Sequence, residues 1–202
     1  MKVDFKKTLD AYTAQRNRFR VVDVPPMQYS MVDGHGDPNT SKDYADALAA
    51  LYPVAYTVKF ASKRDLGRDY VVTPLEALWW ADDMESFTTN RDKSQWHWTA
   101  MIMVPDWIEK AMFDDAVTSV TKKRNPIGIS RIRLETMHEG RCVQTLHVGS
   151  YDDEALVLDE LHSRYLPDAG LEMTGKHHEI YLSDPRRVEP SRLRTILRQP
   201  VR

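Results

Sequence analysis

The sequence predicts one α+β domain over residues 1–202, built from two strand-helix-strand-strand modules joined into an antiparallel sheet. Two observations carry that expectation. Gln28 to Asp37 reads as a strand, a Gly-rich acidic loop and then a helix, and Gln144 to Asp153 repeats the order. Each half then continues into a strand with a Glu near its start, Leu75-Glu76-Ala77-Leu78-Trp79 and His178-Glu179-Ile180-Tyr181-Leu182. The following strand carries Thr99 and Pro105 in one half, Thr195 and Pro200 in the other. The halves cover 19–105 and 129–202. Their helices are expected on one side of the sheet, leaving the opposite face between the halves as the natural cleft.

Residues 1–18 read as a polar helical leader. Phe19 to Val32 is strand-like, with Pro25-Pro26 marking an edge or a bend. Asp33 to Asn39 is rich in residues that tolerate turn geometry, and Ser41 stands where a helix cap belongs. Tyr44, Leu48, Leu51, Ala55 and Val58 form a helical stripe, with a kink or break expected at Pro53. Tyr70 to Ala81 and Trp96 to Val104 are strand candidates, separated by an acidic stretch that includes Asp82-Asp83.

A second helix is placed from Asp106, which has capping-box spacing to Glu109, with Ile108, Met112, Ala116 and Val120 inward. Ile129 to Thr136 and Arg141 to Val148 read as a hairpin turning at Glu139-Gly140. Gly149 to Asp153 opens a third helix, with Leu158, Leu161 and Tyr165 on one side. His177 to Leu182 and Leu193 to Val201 are the last strands.

Composition narrows the function. Hydrophobic residues at 42% and charged residues at 29% describe a globular chain, not a disordered one. Lys and Arg number 28 against 30 Asp and Glu, so no nucleic-acid partner is expected. The arginines at 186, 187, 192, 194, 198 and 202 read as a solvated strand face. A single cysteine, Cys142, excludes an intrachain disulfide, suits a reducing compartment and reads as a small core filler. With no long apolar run and no signal-like leader, no membrane association is expected and the cytoplasm is the expected location. His177 and His178 are adjacent and diverge on a strand, and neither HExxH nor paired-Cys spacing occurs. No metal or other cofactor is therefore expected. Gly34-His35-Gly36 lacks the phosphate-loop pattern and reads as a turn.

The aromatic residues point to a site. Four of the five tryptophans fall in Trp79-Trp80 and Trp96-His97-Trp98, both strand-like, where indoles fill a core or line a cavity. Alternation puts Glu76 with Leu78 and Trp80, and Glu179 with His177 and Tyr181. The more apolar sets, Leu75/Ala77/Trp79 and His178/Ile180/Leu182, are assigned to the helices, which directs both carboxylates into one shared cleft. A carboxylate among aromatic walls can hold a planar cation, or serve as a general base for water once desolvated.

The strings Ser30 to Asn39, Ala49 to Phe60, Pro74 to Trp80, Trp96 to Trp98, Val143 to Glu154 and Lys176 to Arg187 resemble GyrI-like small-molecule-binding proteins along most of the chain. That resemblance implies a central cleft for drug-like aromatics, often cationic, around a Glu. By motif match that Glu is Glu179, with Glu76 as a second acid. Many relatives are fused to a DNA-binding domain, and here only the leader precedes the first strand, so a regulator role is not expected.

The branch that looks most similar implies a cyclopropanoid cyclopropyl hydrolase, in which Glu179 would orient or deprotonate water and Tyr56 or Tyr181 would donate to a carbonyl. The expected ligand-binding residues are Glu76, Trp79, Trp80, Trp96, Trp98, Tyr181 and His147, with face alternation favouring Trp80 over Trp79. By its own strand, His147 reads as a hydrogen-bonded core residue. Binding of flat, hydrophobic, often cationic xenobiotics for cellular protection is the expected function, with ring-opening hydrolysis and ligand sensing for a partner protein as alternatives.

Overall fold

A computed structural model describes residues 2–82 and 92–202. The polar stretch expected between two strands lies largely outside these, Asp83 included. The elements run β1 (Lys2–Val3), α1 (Phe5–Thr8), β2 (Arg20–Val24), β3 (Met27–His35), α2 (Lys42–Asp65), β4 (Asp69–Tyr70) and β5 (Leu75–Trp80). They continue with β6 (His97–Met103), α3 (Lys110–Lys123), β7 (Arg133–Met137), β8 (Gly140–Val148) and α4 (Glu154–Asp159). A π turn (Glu160–Tyr165) leads into α5 (Leu166–Asp168), and β9 (His177–Tyr181) and β10 (Arg194–Pro200) close the chain. The fold is α+β, as expected.

Eight strands form one antiparallel sheet in the order β2-β8-β10-β9-β5-β6-β3-β7. Outward from the central β5–β9 pair, each side presents its strands in the same sequence, β5-β6-β3 and β9-β10-β8. The expected hairpin at Glu139-Gly140 does not form. β7 pairs with β3, and β8 pairs with β10 and β2. Two well-formed strands flanking a Gly look like a hairpin locally, but their partners lie at opposite edges of the sheet.

That connection dictates the sheet's shape. Six strand spacings separate β7 from β8, which in a flat sheet is about 29 Å, whereas the three Cα steps from Met137 to Gly140 reach about 11 Å. Pro25-Pro26 imposes the same constraint between β2 and β3. The sheet therefore curls until its edges approach. One apolar cluster accordingly joins Val22 and Val24 of β2 to Met27 and Met31 of β3, with Cys142, Leu146, Ile180 and Ile196 between.

Both long connections pack on the other, convex face. Ala47, Leu51 and Ala55 of α2 meet Val32, Ala77, Trp98, Ala100 and Ile102, following the expected stripe, and the helix runs unbroken through Pro53. Leu161 and Leu166, in the segment after α4, pack on Val143 and Val201. The second helix begins at Lys110, not Asp106, and turns Phe113, Ala116 and Val120 inward. The leader is helical only over Phe5–Thr8 and a single turn at Asp10–Tyr12, and its Ala11 and Tyr12 plug the concave side.

Candidate functional site

The register of the central strands decides which side chains can meet. Residues directly opposite on antiparallel strands project from the same face. Ala77 stands opposite Glu179 and Trp79 opposite His177, while Glu76 stands opposite Ile180 and Leu78 opposite His178. Glu76 and Glu179 therefore project from opposite faces and share no cleft. Each strand's alternation was legible, but the phase between the strands is a property of pairing.

Glu179 lies on the convex face, the side on which α2 packs, with Tyr44 of α2 and Tyr151, which precedes α4, close enough to feel its charge. Its Oε2 accepts a 2.7 Å hydrogen bond from the Tyr181 hydroxyl, which itself accepts one of 3.0 Å from Trp79 Nε1. His177 Nε2 is 3.4 Å from Oε1. The floor thus runs indole, phenol, carboxylate, imidazole across one face of two strands. Its walls are aromatic. Tyr44 of α2 meets Trp79 at 6.0 Å and Trp98 edge-on at 4.9 Å, Trp96 stands edge-on to Trp79 at 5.7 Å, and Tyr151 edge-on to Tyr181 at 5.7 Å.

The carboxylate keeps a route to solvent, with 12% of its side-chain surface exposed. Burial first, and then the Glu179 charge, hold the Tyr181 hydroxyl far above its ordinary range, so it remains a proton donor to that carboxylate. Burial likewise raises Tyr44, and raises Tyr151 to about 12 with Glu154 and Glu179 adding to it. His162, on the π turn, is pushed down to about 4 by burial and by His177, so it sits neutral.

Glu76 has a structural assignment. Fully buried on the concave face, it accepts from Tyr12 at 2.6 Å and Tyr29 at 3.5 Å, and pairs with His178 Nε2 at 3.0 Å. His178 Nδ1 pairs with Glu139 at 3.0 Å, and Glu139 with Arg198 at 2.7 Å. Arg198 also donates to Gln144 and to the Ala11 carbonyl. Burial alone would lower the His178 pKa, but Glu139 and Glu76 raise it. His178 and Arg198 overcome the cost of burial at Glu139 and hold it down at about 2. Two anions and two cations thus close a neutral buried set that ties the leader to the sheet. Arg198 is 1% exposed, which corrects the expectation of a solvated arginine face at that position.

The remaining expected residues divide by face. Trp79, Trp96, Trp98, Tyr181 and His147 are on the convex side. Trp98 is wholly buried beneath Tyr44, and His147 bonds the Ser150 carbonyl at 2.9 Å, as a core histidine would. Trp80, the indole that alternation favoured, is on the concave side, stacked on His97 at 5.5 Å. Tyr56 is 48% exposed on α2 with its ring against Phe60, and no hydrogen bond or ring contact links it to Glu179 or Tyr181. Sequence reasoning missed Tyr44 and Tyr151, and placed His177 on the face of Glu179 without giving it a role. Tyr44 begins the helical stripe and was absorbed into the core pattern, and Tyr151 sits in a loop with no periodicity to read. Among the described residues no group of three or more His, Cys, Asp or Glu is placed to hold a metal, and no helix is long and apolar enough to cross a membrane.

Residues 18–202 match the model of the GyrI-like small molecule binding domain. An uncharacterized conserved protein from Listeria innocua is 37% identical over the whole of both chains, with a TM-score of 0.90. A structure described as a hydrolase from the same organism is 36% identical, again over both whole chains, with a TM-score of 0.86. The C-terminal domain of EcmrR shares the fold at 12% identity and a TM-score of 0.57, over 92% of this chain and 97% of that one. No curated protein matches the chain.

Proposed function

The chain belongs to the GyrI-like small-molecule-binding family, and from that premise we propose that its convex furrow binds flat, hydrophobic organic cations against Glu179. The observation that carries this reading is the anchored carboxylate. Tyr181 fixes one oxygen of Glu179 from the floor, and Trp79, Trp96, Tyr44 and Tyr151 surround it with rings. A cation above those rings gains both the full charge and the negative faces of the aromatics, in a site drier than the surface. Sequestering such compounds would protect the cell from them. Titration with ethidium, followed by tryptophan fluorescence, should give saturable quenching that weakens in Trp96→Leu. Unchanged affinity in that variant would remove the furrow as the site.

A second reading is hydrolysis, supported by the description of two full-length relatives at 35% and 36% identity as hydrolases. For a cyclopropane conjugated to a carbonyl, water oxygen would bond to a ring carbon as the ring C–C bond breaks. The electron pair would pass to the carbonyl oxygen, which gains a proton, while Glu179 takes the proton lost by water. Tyr181 beside Glu179 is better placed than Tyr56 to assist. Multiple turnover of a cyclopropane-bearing alkylator, abolished in Glu179→Gln, would support this reading; protection limited to one equivalent, without product, would exclude it.

A further inference from the structure

The concave face holds a cavity of about 730 Å³, on the other side of the sheet from Glu179. This is ample for a small organic ligand, whose pockets run from roughly 300 to 1,000 Å³. Its centre is Trp80. One face of the indole stacks on His97, with the rings 17° from parallel, and over the indole ring lies the Lys176 ammonium, 3.2 Å from the centroid. Leu78 and Met31 supply apolar wall.

The charges around the ring are unevenly satisfied. Arg133 grips Asp33 at 2.8 Å and Glu135 at 2.7 Å, and Arg131 grips Asp43 at 2.6 Å. Thr99 donates a further hydrogen bond to Asp33 at 2.7 Å. Every carboxylate among the described lining residues is thus already held by a guanidinium. Lys176, by contrast, makes no ion pair among the described residues and rests on the indole. Its pKa is lowered, by burial above all and then by Arg133, against the opposing pull of Asp33 and Glu135. An ammonium left in this state lacks an anion. A planar acid would provide one, its ring replacing the Lys176 ammonium over Trp80 while Lys176 turns to its carboxylate.

We infer that this cavity is a second ligand site, selective for small aromatic carboxylates, with Trp80 as the stacking platform and Lys176 as the counter-charge. It differs from the convex furrow in face, in lining residues and in the sign of the ligand it takes. The two sites can therefore be tested apart.

The test is a charge series on one ring system, 2-naphthoate, 2-naphthalenemethanol and 2-naphthylmethylammonium, each titrated calorimetrically into the whole chain. Naphthoate should bind, and both the neutral alcohol and the Lys176→Met variant should show affinity weaker by about tenfold, the worth of one charge-assisted contact. Trp80→Leu should weaken naphthoate further, and Glu179→Gln should leave it unchanged. Since Lys176 is a surface residue, its substitution leaves folding intact. Equal naphthoate affinity in wild type and Lys176→Met overturns the inference, as does tighter binding of the ammonium analogue that is lost in Trp80→Leu, or no naphthoate binding at all. Naphthoate binding that fails only in Glu179→Gln would place the ligand in the convex furrow and also overturn it.

Discussion

Replacing Arg198 with methionine should destabilise the protein by about 3–5 kcal/mol, the usual cost of removing one partner from a buried ion pair. The structure gives the reason contact by contact. Arg198 donates to Glu139 at 2.7 Å, to Gln144 at 3.0 Å and to the Ala11 carbonyl, and is 1% exposed. Methionine fills similar volume but strands a buried carboxylate and two further acceptors, and it releases the leader that plugs the curled sheet. Against a total stability of roughly 5–15 kcal/mol for a domain, that loss is severe. Urea unfolding followed by circular dichroism measures it. The midpoint should fall with the slope nearly unchanged, because slope follows the surface exposed on unfolding. Arg194→Met, at the exposed first position of the same strand, is the control and should cost within about 0.5 kcal/mol. A loss below about 1 kcal/mol for Arg198→Met would refute the assignment of this arginine as the hub of a buried neutral set.

The same network sets a pH optimum. The folded-state pKa of His178 is raised, so its contribution is complete below the unfolded value of about 6.5 and disappears as pH climbs through the folded one. Glu139 is held at about 2, so its contribution is complete above the ordinary carboxylate range and is lost as pH falls towards that value. Urea midpoints taken across pH should therefore peak, for this network, between about 4.5 and 6.5, and the alkaline decline should flatten in His178→Gln. Gly34→Ala should cost about 1–3 kcal/mol by thermal unfolding, because a Cβ there would lie 2.1 Å from the buried Trp98 ring. Tyr181→Phe removes the donor to Glu179 and the acceptor of Trp79, and should cost about 1–3 kcal/mol in the same assay while leaving the fold intact.

Much of this architecture was legible because it is periodic. The stripe from Tyr44 to Val58 gave α2 and its buried side, and the matching order of strand, loop, helix and strands in each half gave the α+β class. Strand alternation correctly grouped Glu179 with His177 and Tyr181, and Glu76 with Trp80. What alternation leaves open is the relation between strands. A one-residue change of register exchanges faces, and this register set Ala77, not Glu76, opposite Glu179. The curl was hidden for a related reason. Pro25-Pro26 and His138-Glu139 look like short local turns, and only the identity of each strand's partner shows that they span the whole sheet. Glu139 and Arg198, far apart in sequence with unremarkable neighbours, carried no signal of their meeting. Consecutive tryptophans on a strand face opposite ways, so Trp79 lies on the convex face and Trp80 on the concave one, which the clustering of tryptophans in the sequence does not reveal.

In the proposed function Glu179, and not Glu76, supplies the charge that a ligand meets. The direct measurement is the affinity of a planar cation such as ethidium for wild type, Glu179→Gln and Glu76→Gln, each shown to be folded by circular dichroism. Glu179→Gln should weaken binding by about tenfold or more, while Glu76→Gln should lose stability yet keep its affinity. Equal affinity in wild type and Glu179→Gln, or a loss confined to folded Glu76→Gln, would contradict the assignment.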